Sequence, residues 1–294
     1  MNKLSHILLG AILSLTLFSC NKERLEEPDN NYTNADSFYQ DNKEEEQEFI
    51  IETDEGDCIV AKKGTVICGT RSKLRTPSND TVGLPYTVKV VELYSAKDHI
   101  LYQFPTAANG TALKNDGTVR IKAVQDNQNL TLTANGGFTA LYSVSPVQSG
   151  NSAFKGTMSD DVFADWEIAP EGTTISTQGT KNKFSLSSFG WFQAAQNTYG
   201  TSTTTIDFEL DGTGGAGLDI WLVQQGNNTI LHGSDLKVEH VPVGEKFTAI
   251  LIALDQDDNL VLHESTFTAK AGKTIEIDFK ETDEDSILDK LNTL

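Results

Sequence analysis

The chain has 294 residues and a formal net charge of −19, with 42 acidic against 23 basic residues. That balance excludes the cationic, phosphate-facing surface on which nucleic-acid binding depends. The length suits one large domain or two ordinary ones.

Residues 1–20 fall into three zones. Lys3 supplies a positive start, Ile7 to Phe18 form an apolar run broken by Gly10, Ser14 and Thr16, and the small Ser19 directly precedes Cys20. The run is short of the ~20 residues that a spanning helix needs and fits the core of an export signal. Leu17-Phe18-Ser19-Cys20 resembles the lipobox of bacterial lipoproteins. That resemblance implies removal of residues 1–19, diacylglycerol on the Cys20 thiol, and acylation of the new amine with a palmitate-type chain. Each buried CH₂ contributes about 0.8 kcal/mol, so more than one acyl chain gives a persistent anchor. Lys22-Glu23 behind the cysteine resembles the export signal of Bacteroidota-type surface lipoproteins. It implies an outer-membrane protein displayed at the cell surface, with the periplasm-facing leaflet as the alternative.

Residues 21–57 carry 14 acids against Lys22, Arg24 and Lys43, a net of −11. Low apolarity with high charge predicts disorder, so residues 20–56 read as a disordered acidic tether. Flexible chain of that length would span about 33 Å. Residues 276–294 hold a further 7 acids and 2 bases, and the signal adds one positive charge, which leaves only −4 for residues 58–275.

From there, alternation of period two dominates, as in Thr87-Val88-Lys89-Val90, Thr118 to Ala123, Leu130 to Thr133, Thr205 to Leu210 and Thr274 to Phe279. Such runs are half-buried strands. Turn clusters such as Ala108-Asn109-Gly110 and Lys114-Asn115-Asp116-Gly117 separate them. The pattern predicts an all-β protein of two tandem β-sandwich (Ig-like) domains, 57–170 and 171–280, parted near Ala169-Pro170-Glu171-Gly172. In residues 281–294, Thr282 and Asp285 followed by Ile287, Leu288, Leu291 and Leu294 read as a capped, short amphipathic helix.

Cys58 and Cys68 frame a hairpin whose three-residue loop ends in Gly64. That register sets the two cysteines opposite each other, and an exported chain meets an oxidising compartment, so a Cys58–Cys68 disulfide is expected. With Cys20 reserved for lipid, no free thiol would remain.

Val88 to Leu101 contains the steps Glu92-Leu93-Tyr94 and Lys97-Asp98. Thr106-Ala107-Ala108-Asn109-Gly110, a strand led by Gly117, Asp165-Trp166 and Gly190-Trp191 follow. This block, over roughly residues 57–280, resembles Bacteroidota-type outer-membrane surface lipoproteins of unassigned function. The chain departs from their pattern at Cys68 to Leu74 and at Phe192 to Ala195. The resemblance implies two β-modules and no agreed activity.

Motifs for catalysis are weak. Gly212 to Gly217 satisfies Gly-x-Gly-x-x-Gly, but a strand rather than a helix follows, so it reads as a hairpin loop. Gly272-Lys273-Thr274 lacks the first glycine of a phosphate loop. His99, His232, His240 and His263 show no metal-ligand spacing, and no metal or cofactor is expected. Asp255, Asp257, Asp258 and Asn259 form an oxygen-rich turn without the glycine and distal glutamate of a calcium loop. Trp166, Trp191 and Trp221 would form a glycan-stacking platform if exposed, although their apolar neighbours favour core positions.

The expectation is therefore a non-enzymatic, lipid-anchored envelope protein with a binding, adhesion or assembly role. Its partners would be the membrane and a glycan or protein. The alternatives are a glycan-binding lipoprotein of a nutrient-uptake system, and an envelope hydrolase whose His, Asp or Glu converge from separate strands.

Overall fold

The computed structural model describes residues 32–54, 58–133, 136–142, 150–159, 162–197, 199–200, 202–210, 218–224 and 226–294. The lipobox with Cys20, the signal, the start of the expected tether and Gly212 to Gly217 lie outside the described residues. Tyr32 to Leu294 form one compact unit. It is mostly β, with a short C-terminal helix.

In chain order the first part contains α1 (Ala35–Asn42), β1 (Gln47–Ile51), β2 (Ile59–Val60), β3 (Val66–Gly69), β4 (Tyr86–Leu93) and α2 (Ala96–Leu101). β5 (Lys114–Gln125), β6 (Phe138–Tyr142), β7 (Ser152–Ser159), β8 (Val162–Ile168), β9 (Thr174–Gln178), β10 (Lys181–Leu186) and β11 (Gly190–Gln196) follow. These strands make two antiparallel sheets of order β1-β4-β5-β11-β7-β8 and β9-β10-β6-β3-β2. Alternation sorts the side chains. Val88, Val90, Val119, Ile121 and Phe192 of one sheet meet Ile67, Phe138, Ala140, Tyr142 and Phe184 of the other. This is the core of the first sandwich.

The second part contains β12 (Thr203–Leu210), β13 (Ile220–Gln224), β14 (Ile230–Gly233), β15 (Lys237–Pro242), β16 (Lys246–Leu254), β17 (Leu260–Thr268), β18 (Thr274–Ile277) and α3 (Glu284–Asn292). Its sheets run β15-β12-β18, with β12 and β18 parallel, and β14-β13-β16-β17. Ile206, Phe208, Val238 and Ile275 face Ile220, Leu222, Phe247 and Leu251 across the second core.

β16 is buried on both faces, which is why Ala249 to Leu254 reads as a continuous apolar run and not as alternation. Its outward side chains Ile250 and Ile252 join Trp221 beneath a helical layer of Phe38 and Tyr39 from α1, Ile100 from α2, and Ile287 and Leu291 from α3. Each helix is capped. The Asn34 side chain accepts from Ser37 N at 2.9 Å, Ser95 caps α2, and Asp283, one residue beyond the expected Thr282, accepts from Ser286 N at 2.7 Å.

Two sequence expectations are corrected. Tyr32 to Ile51, assigned by composition to the disordered tether, belong to the fold. Three of their acids are matched by bases of the first sandwich, Glu44 with Lys63 (3.4 Å), Glu46 with Lys89 (3.4 Å) and Arg120, and Glu48 with Lys89 (2.5 Å), and just beyond them Asp54 meets Arg71 (2.6 Å). The domain boundary also moves. β10 pairs with β6, and β11 with β5 and β7, so the first sandwich extends to Gln196. Pro170-Glu171-Gly172 is a turn that carries the chain from one sheet to the other within that sandwich.

Candidate functional site

The cysteine hairpin forms as expected. Ile59 pairs with Ile67 and Val60 with Val66, which sets Cys58 opposite Cys68, and the two are disulfide-bonded with a Cα–Cα distance of 4.3 Å. The loop is Lys62-Lys63-Gly64, closed by Ala61 N donating to Thr65 O at 2.8 Å, with Gly64 at φ 95°. At that φ a side chain would be strained.

The hairpin is fastened to the sandwich by Glu92. Its buried carboxylate accepts from Thr65 N (2.9 Å), Thr65 Oγ1, Lys63 N (2.7 Å) and Gln47 Nε2 (3.0 Å). Tyr94 shares a hydrogen bond with Thr65 Oγ1, and burial pushes its phenol well above the ordinary value. Lys63 Nζ reaches Asp98 Oδ1 at 2.6 Å, while Tyr94 N and Ser95 N donate to Asp98 Oδ2. Burial opposes ionisation of Asp98, but the Lys63 ammonium and those two amides hold its carboxyl below the ordinary value. Beside it, His99 places Nδ1 2.8 Å from Phe104 O and Nε2 3.0 Å from Asn115 Nδ2. Desolvation lowers its pKa, so the ring is held neutral.

The other resembling segments converge nearby. Asn109 N donates to Asp165 (3.1 Å), and Trp166 Nε1 donates to Pro105 O (2.7 Å). Thr106 exchanges hydrogen bonds with Ile230 of the second sandwich, its N donating to Ile230 O at 2.7 Å and its Oγ1 accepting from Ile230 N at 2.8 Å. Trp191 packs on Phe104 with ring centroids 4.3 Å apart. Glu92, Tyr94, Asp98, Asn109, Asp165, Trp166 and Trp191 thus belong to the first part of the fold, and the Thr106–Ile230 bonds beside them tie it to the second sandwich.

Trp166, Trp191 and Trp221 are 0%, 4% and 0% exposed. All three indoles are packed in hydrophobic clusters, the core positions that their apolar neighbours favoured, so the exposure that a glycan-stacking platform requires is absent. The Asp255 turn is also internal in its bonding. Its Oδ1 accepts from Asp257 N (2.8 Å) and Asn259 N (2.9 Å), so the carboxylate closes the turn.

Two of the grooves among the described residues have charged side chains of both signs on their walls. One, of about 320 Å³, lies where the short hairpin of Ala107–Ala108 and Thr111–Ala112 meets β14 and β15, and His232, Lys237, Glu239 and His240 line it. His232 Nε2 is 2.7 Å from Asp219 Oδ1, and its ring packs on Trp221. His240 has φ 58° and lies so close to Gly110 that a Cβ there would be 2.8 Å from its ring. The other, of about 540 Å³, lies at the edge of the first sandwich and is lined by Asp54, Thr70, Arg71, Ser72, Arg75, Thr81 and Val82. Arg71 meets Asp54 edge-on there, Nε and Nη2 each 2.6 Å from a carboxylate oxygen. That pairing lowers the pKa of Asp54 and raises that of Arg71.

Sequence reading missed the Asp219–His232 pair and the arginine groove. The cue for the groove was Arg71-Ser72-Lys73-Leu74-Arg75, three bases in five residues of an acidic chain. No helix among the described residues is long and apolar enough to cross a membrane. No group of His, Cys, Asp or Glu that could hold a metal occurs among the described residues. No family model, no curated protein and no solved structure matches the chain.

Proposed function

We propose that this chain is a lipoprotein of the outer membrane, anchored through Cys20, displayed at the cell surface, and acting there by binding rather than catalysis. The observation that carries the reading is Leu17-Phe18-Ser19-Cys20 closing a short apolar run. The extent of the fold agrees with it. The described fold starts with Tyr32, and a chain of the length between Cys20 and Tyr32 reaches at most about 43 Å if fully extended. The binding role is supported by what the buried ionisable groups do, since Glu92, Asp98 and His99 are all engaged in hydrogen bonds inside the first part of the fold.

The test is metabolic labelling with an alkyne fatty acid, combined with protease shaving of intact cells. The native chain is expected to take up label and to be cleaved from outside, while Cys20→Ala loses the label and leaves the membrane fraction. Unlabelled native protein, or Cys20→Ala protein that stays in the membrane fraction, would overturn the anchor. Labelled protein resistant to shaving would place it on the inner leaflet.

One observation favours a second reading, an envelope hydrolase. Asp219 and His232 meet on a groove wall, as a general base and its orienting carboxylate do. Hydrolysis of a chromogenic ester or glycoside that His232→Ala abolishes would select that reading over the first.

A further inference from the structure

We propose that the groove at the edge of the first sandwich binds an oxyanion carried on a small ligand, a carboxylate, phosphate or sulfate group, with Arg75 as its anchor. The inference rests on the reading of the chain as a binding protein and supplies the ligand chemistry.

The backbone of Arg75 is fixed on two sides, paired with Thr131 and bridged to Thr81. Its side chain is fixed as well. Nη1 donates to the carbonyls of Ser72 (3.0 Å) and Leu74 (2.6 Å), which orients the guanidinium plane. Nε and Nη2 make no hydrogen bond among the described residues, and no described carboxylate lies within ion-pair distance of them. Those two nitrogens form the edge whose parallel N–H groups match two oxygens of a carboxylate or phosphate. The groove already displays that recognition once, because Arg71 presents the same edge to Asp54. Arg75 lines the same groove and has no such partner for its edge among the described residues.

The surroundings favour an anion. Lys63, Lys89, Arg120, Lys237 and Lys290 each lie within ion-pair distance of a carboxylate, so their charge is matched inside the protein. Arg75 is not matched in this way. Thr70, Ser72 and Thr81 add hydroxyl donors to the same walls, and the volume of about 540 Å³ is that of a small-ligand site.

The test is calorimetric titration of the detergent-solubilised full-length chain at low ionic strength. The probes are inorganic phosphate, sulfate and glucuronate, with glucose as the neutral control. Saturable one-to-one binding of at least one anion is expected, with none of glucose. Arg75→Gln should weaken it by at least about tenfold, the loss of one charge-assisted hydrogen-bonded pair. Arg75→Lys, which keeps the charge and removes the two-pronged edge, should also weaken it several-fold, and it carries the test if the glutamine variant does not fold. Lys73→Gln, two positions away along the chain but outside the groove lining, should change affinity less than about twofold.

Glucuronate bound more tightly than phosphate would point to an acidic saccharide, and the reverse to a phosphate-bearing headgroup or glycan. No saturation below about 50 mM for any anion would overturn the proposal. So would equal losses in Arg75→Gln and Lys73→Gln, which would mean a diffuse cationic surface. Fatty-acid labelling of the same Arg75 variants reads anchoring separately, so a failure of anion binding is distinguishable from a failure of the lipoprotein reading.

Discussion

The indole of Trp166 donates through Nε1 to the carbonyl of Pro105 at 2.7 Å, inside a cluster that also holds Phe104 and Trp191. The bond ties β8 to the segment that leads into the short hairpin at the sandwich junction. Trp166→Phe keeps most of the apolar volume and strands a carbonyl without its donor. It should cost about 1–3 kcal/mol. Trp166→Ala, which also opens a cavity, should cost about 3–5 kcal/mol. Equilibrium denaturation in guanidinium would check both, and a Trp166→Phe midpoint equal to that of the native chain would refute the hydrogen-bond assignment.

Glu92 accepts four hydrogen bonds from three residues of the hairpin region and β1. Glu92→Gln turns one acceptor oxygen into a donor amide facing donors. We expect a loss of about 2–3 kcal/mol with an unchanged m-value. Amide exchange of Lys63 and Thr65 should quicken along with it. Protection factors equal to those of the native chain would show that the hairpin is held by something else.

Cys58 and Cys68 close a ring with a sequence separation of 10. Chain-entropy reasoning assigns such a ring about 2–3 kcal/mol. The Cys58→Ser/Cys68→Ser pair should lower the midpoint accordingly while leaving the far-UV spectrum intact, since Glu92 still holds the hairpin.

Stability should fall as pH drops below neutrality. His99 and His263 both have folded-state pKa values lowered from the ordinary 6.5, in each case chiefly by burial. His263 Nδ1 also accepts from Asp278 N at 2.9 Å, a role that only the unprotonated nitrogen can fill. A lowered value means that the unfolded chain binds protons first. The contribution is therefore complete above pH 6.5 and is lost as pH falls through 6.5 toward the folded-state values. Asp98 adds a second loss at lower pH, because its folded value lies below 3.8. Melting temperatures measured from pH 7.5 to pH 5 should decline, and less steeply in His263→Gln. A flat profile would contradict the buried neutral rings.

Much of the fold was legible because burial on one face of a strand writes alternation directly into the sequence. Thr205 to Leu210 and Thr274 to Phe279 became the cores of β12 and β18 in that way, and the cysteine register fixed its own hairpin. α1 was not legible. It buries little more than Phe38 and Tyr39, and its acidic neighbourhood mimics a solvated spacer until the bases Lys63, Lys89, Arg71 and Arg120, supplied from elsewhere in the chain, are in place. The turn at Pro170 misled for a related reason, since a crossing between sheets uses the same residues as a crossing between domains. The arginine groove depends on Asp54 reaching Arg71 and on Thr81 lying beside Arg75, pairings made by tertiary structure and absent from local spacing.

Tyr32 donates to Glu284, a partner 252 positions away, and α1 lies in one helical layer with α3. The chain thus closes like a clasp whose two halves are far apart in the sequence. Until α3 emerges, Trp221, Ile250 and Ile252 lack part of their cover, and α1 lacks a complete seat. A copy that lacks α3 therefore carries its unfinished state on its surface as an apolar face.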